Sequence, residues 1–206
     1  LGPRGPFDPD CARPTFTPAQ FVAPKLKCSW TTEGVMSTAF VADLDGDKKP
    51  EIIAPTLSNN LVALRGKDCT ELWKIPLQLS NNESHIAVAD LDGDRKAEII
   101  VLGAGGLVQV LDGKGNVLAT APAPFNQSAP FGGISIADVD GKAPPEILAP
   151  GQVVRYAKGN NKLEVLWTSQ NLPGLADGLI PLAADLDGDG KAEAIQGRTI
   201  LDGLTG

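Results

Sequence analysis

Residues 41–51 read VADLDGDKKPE. An apolar lead-in runs into three aspartates at every second position, Asp43, Asp45 and Asp47, and Glu51 follows four residues after the last. Carboxylates gathered this closely repel one another unless a cation or a set of donors cancels their charge. What cancels it decides how the rest of the chain is read.

The stretch is repeated. VADLDGDKKPEII (41–53) returns as VADLDGDRKAEII (88–100), IADVDGKAPPEIL (136–148) and AADLDGDGKAEAI (183–195), and the leading aspartates Asp43, Asp90, Asp138 and Asp185 are 47, 48 and 47 residues apart. A period this regular marks one supersecondary unit used four times. Within the first unit, STAFVADL, EIIAP, NLVAL and ELWKI are short, rich in aliphatic residues and bounded by Gly, Asn, Asp or Pro. They read as strands, and no segment has the length and 3.6-residue period of an amphipathic helix. GAGG (103–106) and DGKG (112–115) read as hairpin turns. Four strands per period is the pattern of a β-propeller blade, which a sandwich would not repeat.

The expected architecture is all-β: a lead-in over residues 1–24, then propeller repeats over 25–206. Blades are placed at about 37–76, 84–121, 132–169 and 179–206. KLKCSW (25–30) matches ELW and VLW of the later outer strands, so 25–31 is read as an outer strand that completes the last blade. Two arrangements fit this reading: a closed four-bladed ring, or an arc of a larger one, for example seven-bladed. Trp30, Trp73 and Trp167 fall at equivalent outer-strand positions, and the second copy has Ala119 there. Repetition of that kind points to packing between blades.

Numbered from its first aspartate, the loop carries carboxylates at positions 1, 3, 5 and 9, glycine at 4 for a tight bend, and a free backbone carbonyl at 7. Hard oxygen ligands on a short arc suit Ca²⁺, which takes 6–8 of them, better than Mg²⁺ with its strict octahedron. Zinc or copper would call for His or Cys. The expected ligands are Asp43, Asp45, Asp47, Lys49 and Glu51; Asp90, Asp92, Asp94, Lys96 and Glu98; and Asp185, Asp187, Asp189, Lys191 and Glu193, each lysine through its carbonyl. The final acid at position 9, with strands on both sides, separates this loop from an EF-hand. The third copy has Asp138, Asp140 and Glu146 but Lys142 at position 5. Three calcium sites and one ion-free loop are expected, with the Lys142 ammonium standing in for the metal. One such acidic turn could be chance, since Asp and Gly are common in turns. Three complete copies at fixed period could not.

These loops and their spacing resemble the FG-GAP/VCBS repeats, the calcium-loop blades of integrin α-chain propellers. VQVLDGKGNVL (108–118) and TILDGLTG (199–206) are also similar to segments of quinoprotein-type propellers, although no quinone ligand carries over. FGG at 131–133 is the trace of the FG-GAP cage. The resemblance implies a secreted, cell-surface or periplasmic protein.

Composition narrows the function. A charge of −7 and a pI near 4.7 disfavour nucleic acid and anionic membranes, which need clustered Lys and Arg. No stretch has the roughly 20 apolar residues of a membrane span. Cys11, Cys28 and Cys69 allow one internal disulfide, with the pairing open. The one histidine, His85, begins an inner strand and the one tyrosine, Tyr156, sits on a third strand; neither assembles a catalytic set. The expectation is a non-catalytic, calcium-stabilised binding or adhesion module for a glycan or an extracellular protein. The alternative is a structural or accessory propeller of a larger secreted carbohydrate-active enzyme. A ligand face would be sought in the variable segments Gln78–Ser84, Ala123–Phe131 and Asn171–Gly178.

Overall fold

The structure, a computed structural model, describes residues 23–35, 37–77, 86–103, 107–122, 133–169 and 180–206. Most of the lead-in with Cys11, the GAGG turn, FGG, His85 and the three variable segments lie wholly or mainly outside the described residues.

The strands form four antiparallel sheets in sequence order. The first holds β1 (Phe40–Ala42), β2 (Glu51–Pro55), β3 (Asn60–Arg65) and β4 (Glu71–Pro76). The second holds β5 (Ala87–Ala89), β6 (Glu98–Gly103), β7 (Leu107–Leu111) and β8 (Val117–Pro122). β9 (Ser135–Ala137), β10 (Glu146–Ala149), β11 (Gln152–Ala157) and β12 (Lys162–Thr168) make the third; β13 (Leu182–Ala184), β14 (Glu193–Gln196) and β15 (Thr199–Asp202) make the fourth. The inner strands β1, β5, β9 and β13 neighbour one another in that order. This is the propeller-like arrangement that the period implied.

Each blade repeats one register. The glutamate opening the second strand faces the last residue before the next hairpin turn, as Glu51 faces Arg65 and Glu193 faces Asp202. The third and fourth strands then slip by one residue at the same place in blades one to three, between Ala63 and Leu64, Val110 and Leu111, and Val153 and Val154. Just past the slip, the outer strands of the first and third blades carry Trp73 and Trp167 toward the next blade.

The core is divided among the seams between blades rather than gathered at a centre. Ile53, Leu61, Ile99 and Leu111 fill the first seam; Ile100, Val108, Ile147 and Val154 the second; Leu148, Val153, Trp167 and Ala194 the third. A strand buried on both faces needs a continuous apolar run, which is why EIIVLG is buried along its whole length. Each such aliphatic side chain contributes about 1.5–3 kcal/mol relative to exposure. Trp73 and Trp167 cross the first and third seams, their indole N–H groups donating to the Gly113 and Gly203 carbonyls at 2.9 and 2.8 Å. Gly113 is required there, because a Cβ would lie 2.1 Å from the Leu44 carbonyl oxygen. The second seam reverses the sizes: Ala119 takes the Trp position, Tyr156 takes the glycine position, and both are buried in one cluster.

Residues 25–31 correct one expectation. They form no strand, and the fourth sheet has three strands among the described residues. The segment is fastened to the first blade by the Cys28–Cys69 disulfide and by Lys27 Nζ donating to the Gly66 carbonyl at 3.1 Å. Trp30 packs against Ala54, Val62 and Leu64, and its N–H donates to Glu71 at 3.3 Å. Glu33 completes the anchor, accepting from Lys74 at 2.8 Å and from Thr56 and Asn60. Those donors, Lys74 foremost, hold its carboxyl down at about 2. The covalent and ionic tie to β4 and the β3–β4 turn outweighs the strand-like pattern of KLKCSW.

Candidate metal centre

The four aspartate loops join β1 to β2, β5 to β6, β9 to β10 and β13 to β14, each at the same end of its blade. All four share a clasp. The glutamate at position 9 turns back, and its Oε2 accepts the backbone N–H of position 2: Leu44 to Glu51 at 3.0 Å, Leu91 to Glu98 at 2.8 Å, Val139 to Glu146 at 2.9 Å and Leu186 to Glu193 at 2.7 Å. One oxygen so engaged fixes each carboxylate in direction, and Glu51, Glu146 and Glu193 each bring an oxygen close to two aspartates of their loop.

The first aspartate organises the bend. Asp43 Oδ1 accepts from Gly46 at 2.7 Å and Oδ2 from Lys48 at 2.8 Å; Asp90 does the same with Gly93 and Arg95, and Asp185 with Gly188 and Gly190. Those donors sit at positive φ, 84° for Gly46 and 65° for Lys48. The first bend therefore needs glycine, and the second holds a lysine or arginine in the left-handed region where glycine is easier. The third aspartate accepts from position 7, as Asp47 from Lys49 at 2.7 Å, Asp94 from Lys96 at 2.9 Å and Asp189 from Lys191 at 2.8 Å.

These bends bring carboxylate oxygens within 4.8 Å of one another in every loop. The groups are Asp43, Asp45 and Glu51; Asp90, Asp92 and Asp94; Asp138, Asp140 and Glu146; and Asp185, Asp187 and Glu193. Asp47, Glu98 and Asp189 lie outside these closest groupings. Oxygen-only donors at this density fit a hard divalent cation. Their electrostatics agree: burial, with the neighbouring aspartates adding to it, pushes Glu51 up and Glu98 up to about 7. Glu98 is 5% exposed, so its charge needs a partner. Asp47 is held low by the Lys49 ammonium, and Asp94 by the Lys96 N–H together with Lys158.

The third loop is different, and not as the sequence suggested. Lys142 contributes its backbone N–H, donated at 2.9 Å to both Asp138 and Asp140. The cation on the carboxylates is Arg155 of β11, whose Nη2 lies 2.6 Å from Asp140 and also bonds Glu146, with Nε 3.0 Å from Glu146. Sequence reasoning missed Arg155 because its relation to Glu146 exists only through the β10–β11 register. The available signal was faint: the residue before the hairpin turn is Asp112 and Asp202 in the second and fourth copies but arginine in the others. Lys158, missed as well, reaches across a seam to Asp92 at 2.9 Å and Asp94 at 3.4 Å. A cavity of about 550 Å³ opens beside it, lined by Asp45, Asp92, Glu98, Lys96, Tyr156 and Lys158 among others. The Tyr156 hydroxyl donates to Asn161 at 3.0 Å, consistent with a packing role.

Loops and seams are coupled. The Asp43 carbonyl accepts from Ala97 N–H of the next blade at 2.9 Å, and the Gln196 amide bridges Gly151 N–H at 2.7 Å and the Ala149 carbonyl at 3.4 Å.

No curated protein sequence matches the chain. Among solved structures it is similar to the V. cholerae biofilm matrix protein Bap1, at 27% identity and a TM-score of 0.69, covering 88% of this chain and 33% of that one. It is also similar to the Bacillus licheniformis rhamnogalacturonan lyase PL11, at 22% identity and a TM-score of 0.60, covering 82% of this chain and 41% of that one. The chain thus spans about a third and two fifths of those proteins. Over residues 43–101, from the first aspartate loop through the second and into β6, the sequence matches the FG-GAP-like repeat family.

Proposed function

We propose that this chain is a calcium-stabilised module that works outside the cell, at its surface or in the periplasm, and recognises a glycan or a protein without catalysis of its own. The observation that carries the reading is the repeated clasp, with carboxylates drawn together at fixed register and each glutamate held by a backbone N–H. The ligands would be Asp43, Asp45, Asp47 and Glu51; Asp90, Asp92, Asp94 and Glu98; and Asp185, Asp187, Asp189 and Glu193, with the Lys49, Lys96 and Lys191 carbonyls. Bound calcium would neutralise each loop and hold consecutive blades in register.

The Cys28–Cys69 disulfide supports an oxidising compartment. The likeness to a biofilm matrix protein supports an extracellular setting. Metal-committed carboxylates are poor proton carriers, which favours binding over acid–base chemistry. Calorimetry on the chelator-stripped chain should give three calcium ions per molecule, and EGTA should lower the melting temperature. An unchanged melt would sink the calcium reading. Turnover of any member of a polysaccharide panel would sink the non-catalytic one.

A further inference from the structure

We propose that Arg155 is the resident cation of the third loop, occupying with its guanidinium the place that calcium takes in the other loops. The inference rests on the calcium reading for those loops, but its structural half stands without it. Arg155 lies one step beyond the Ile147–Val154 pair, directly across from Glu146. It bonds the carboxylates at positions 3 and 9, Asp140 and Glu146, which are two of the three groups drawn together in the first and fourth loops. Glu146 is fully buried and Asp140 nearly so, with side-chain exposures of 0% and 14%. Both its oxygens are spoken for: Oε2 by Val139 N–H and Oε1 by Arg155. In the other three loops the hydrogen bond seen among the described residues reaches Oε2 alone.

An arginine nearby is not enough to produce this. Arg65 stands across from Glu51 in the first blade, yet it is exposed and makes no ion pair among the described residues. What distinguishes the third loop is the loss of the aspartate at position 5, replaced by Lys142. That loss removes one ligand and one negative charge, leaving a site whose remaining two inner carboxylates match the planar fork of a guanidinium. Arginine stays charged at every relevant pH, so the third clasp is permanently closed and indifferent to calcium supply.

The test compares the full chain with R155Q and K142D/R155Q. In the wild type, the Arg155 Nε–H resonance should stay slow-exchanging and unmoved through calcium saturation, with R155K serving to assign it. K142D/R155Q should bind one more calcium per chain than the wild type. In EGTA, R155Q should melt lower than wild type, while the control R65Q should not. Displacement of the Arg155 signal by calcium overturns the proposal, as do four ions in the wild type or no gain in K142D/R155Q when that variant folds. Should it fail to fold, the resonance decides alone. A wild type that binds no calcium at all, with the Arg155 signal intact, removes the calcium reading and leaves Arg155 as the built-in cation.

Discussion

The first and third loops hang from the same scaffold and reach electrical balance by different means. Each leaves an inner strand, bends at a glycine of positive φ, and returns through a glutamate whose Oε2 accepts the N–H of position 2. In the first, Asp43, Asp45 and the buried Glu51 draw together, and the ion pair seen among the described residues is the exposed Lys49 to Asp47 at 3.1 Å. In the third, Arg155 enters from the neighbouring strand and bonds Asp140 and Glu146. The hydrogen bond from position 2 to the glutamate is thus formed both with and without a guanidinium on the carboxylates. Both blades carry an arginine across the sheet from the loop glutamate, Arg65 and Arg155, and what separates the loops is Lys142 in place of the aspartate at position 5.

The sharpest way to break this comparison is to remove the internal cation. R155M leaves Glu146 buried without its partner, a situation that costs about 3–5 kcal/mol. The loss should be the same in calcium and in EGTA when followed by chemical denaturation. A loss that calcium repairs would mean the third loop is a metal site after all.

The matching change in a loop proposed to hold calcium should carry the opposite signature. D187N removes one carboxylate from the cluster of Asp185, Asp187 and Glu193. In EGTA it should be neutral or stabilising, because it relieves repulsion among like charges. In calcium it should forfeit what the ion contributes at that loop, about 2.7 kcal/mol at a hundredfold excess over Kd. Destabilisation in EGTA equal to that in calcium would show that Asp187 serves the fold and not an ion.

Much of this was legible from one chain, and the reason is the period. Four copies spaced by 47 or 48 residues place four sheets, their loops and the outer-strand tryptophans, and Trp73 and Trp167 do bridge seams. What could not be read depends on which strand lies beside which, and in what register. Arg155 is nine residues from Glu146 along the chain and meets it only because β10 and β11 pair. Lys158 meets Asp92 across a seam between blades. The segment 25–31 had the residues of an outer strand, but Cys28 could have paired with either of two partners, and the choice of Cys69 sets it against the first blade.

pH offers a third probe, since the two kinds of clasp titrate differently. Burial raises Glu98 from its ordinary 4.5 to about 7, so without metal the folded state prefers it protonated. A raised carboxyl favours folding below the ordinary value. Stability in EGTA should therefore fall as pH climbs from about 4.5 to 7, then level off. Calcium needs the ionised form, so the gap between calcium and EGTA melts should widen across the same window. Arg155 keeps its charge throughout the window. An EGTA profile flat between pH 5 and 8 would mean the Glu98 charge is already cancelled within the protein.

The smallest expected effect lies at the second loop, which stands between the two extremes. Its closest carboxylates, Asp90, Asp92 and Asp94, have a cation near them as the third loop does, but Lys158 is half exposed, comes from the next blade and ends in a flexible ammonium. On the calcium reading such a group competes with the ion rather than replacing it. An exposed lysine pair is worth about 0.2–1 kcal/mol. Because Asp92 is nearly buried, with 6% of its side chain exposed, the upper end of that range applies. On the calcium reading, K158Q should then tighten binding at one of the three proposed sites by up to about fivefold, leaving the others unchanged, and calorimetric titration would resolve it as the convergence of a weak site on two stronger ones. No change in any site would place Lys158 among ordinary surface charges. Weaker binding would mean the ammonium orders Asp92 for the ion, which would make the second loop a third kind of clasp.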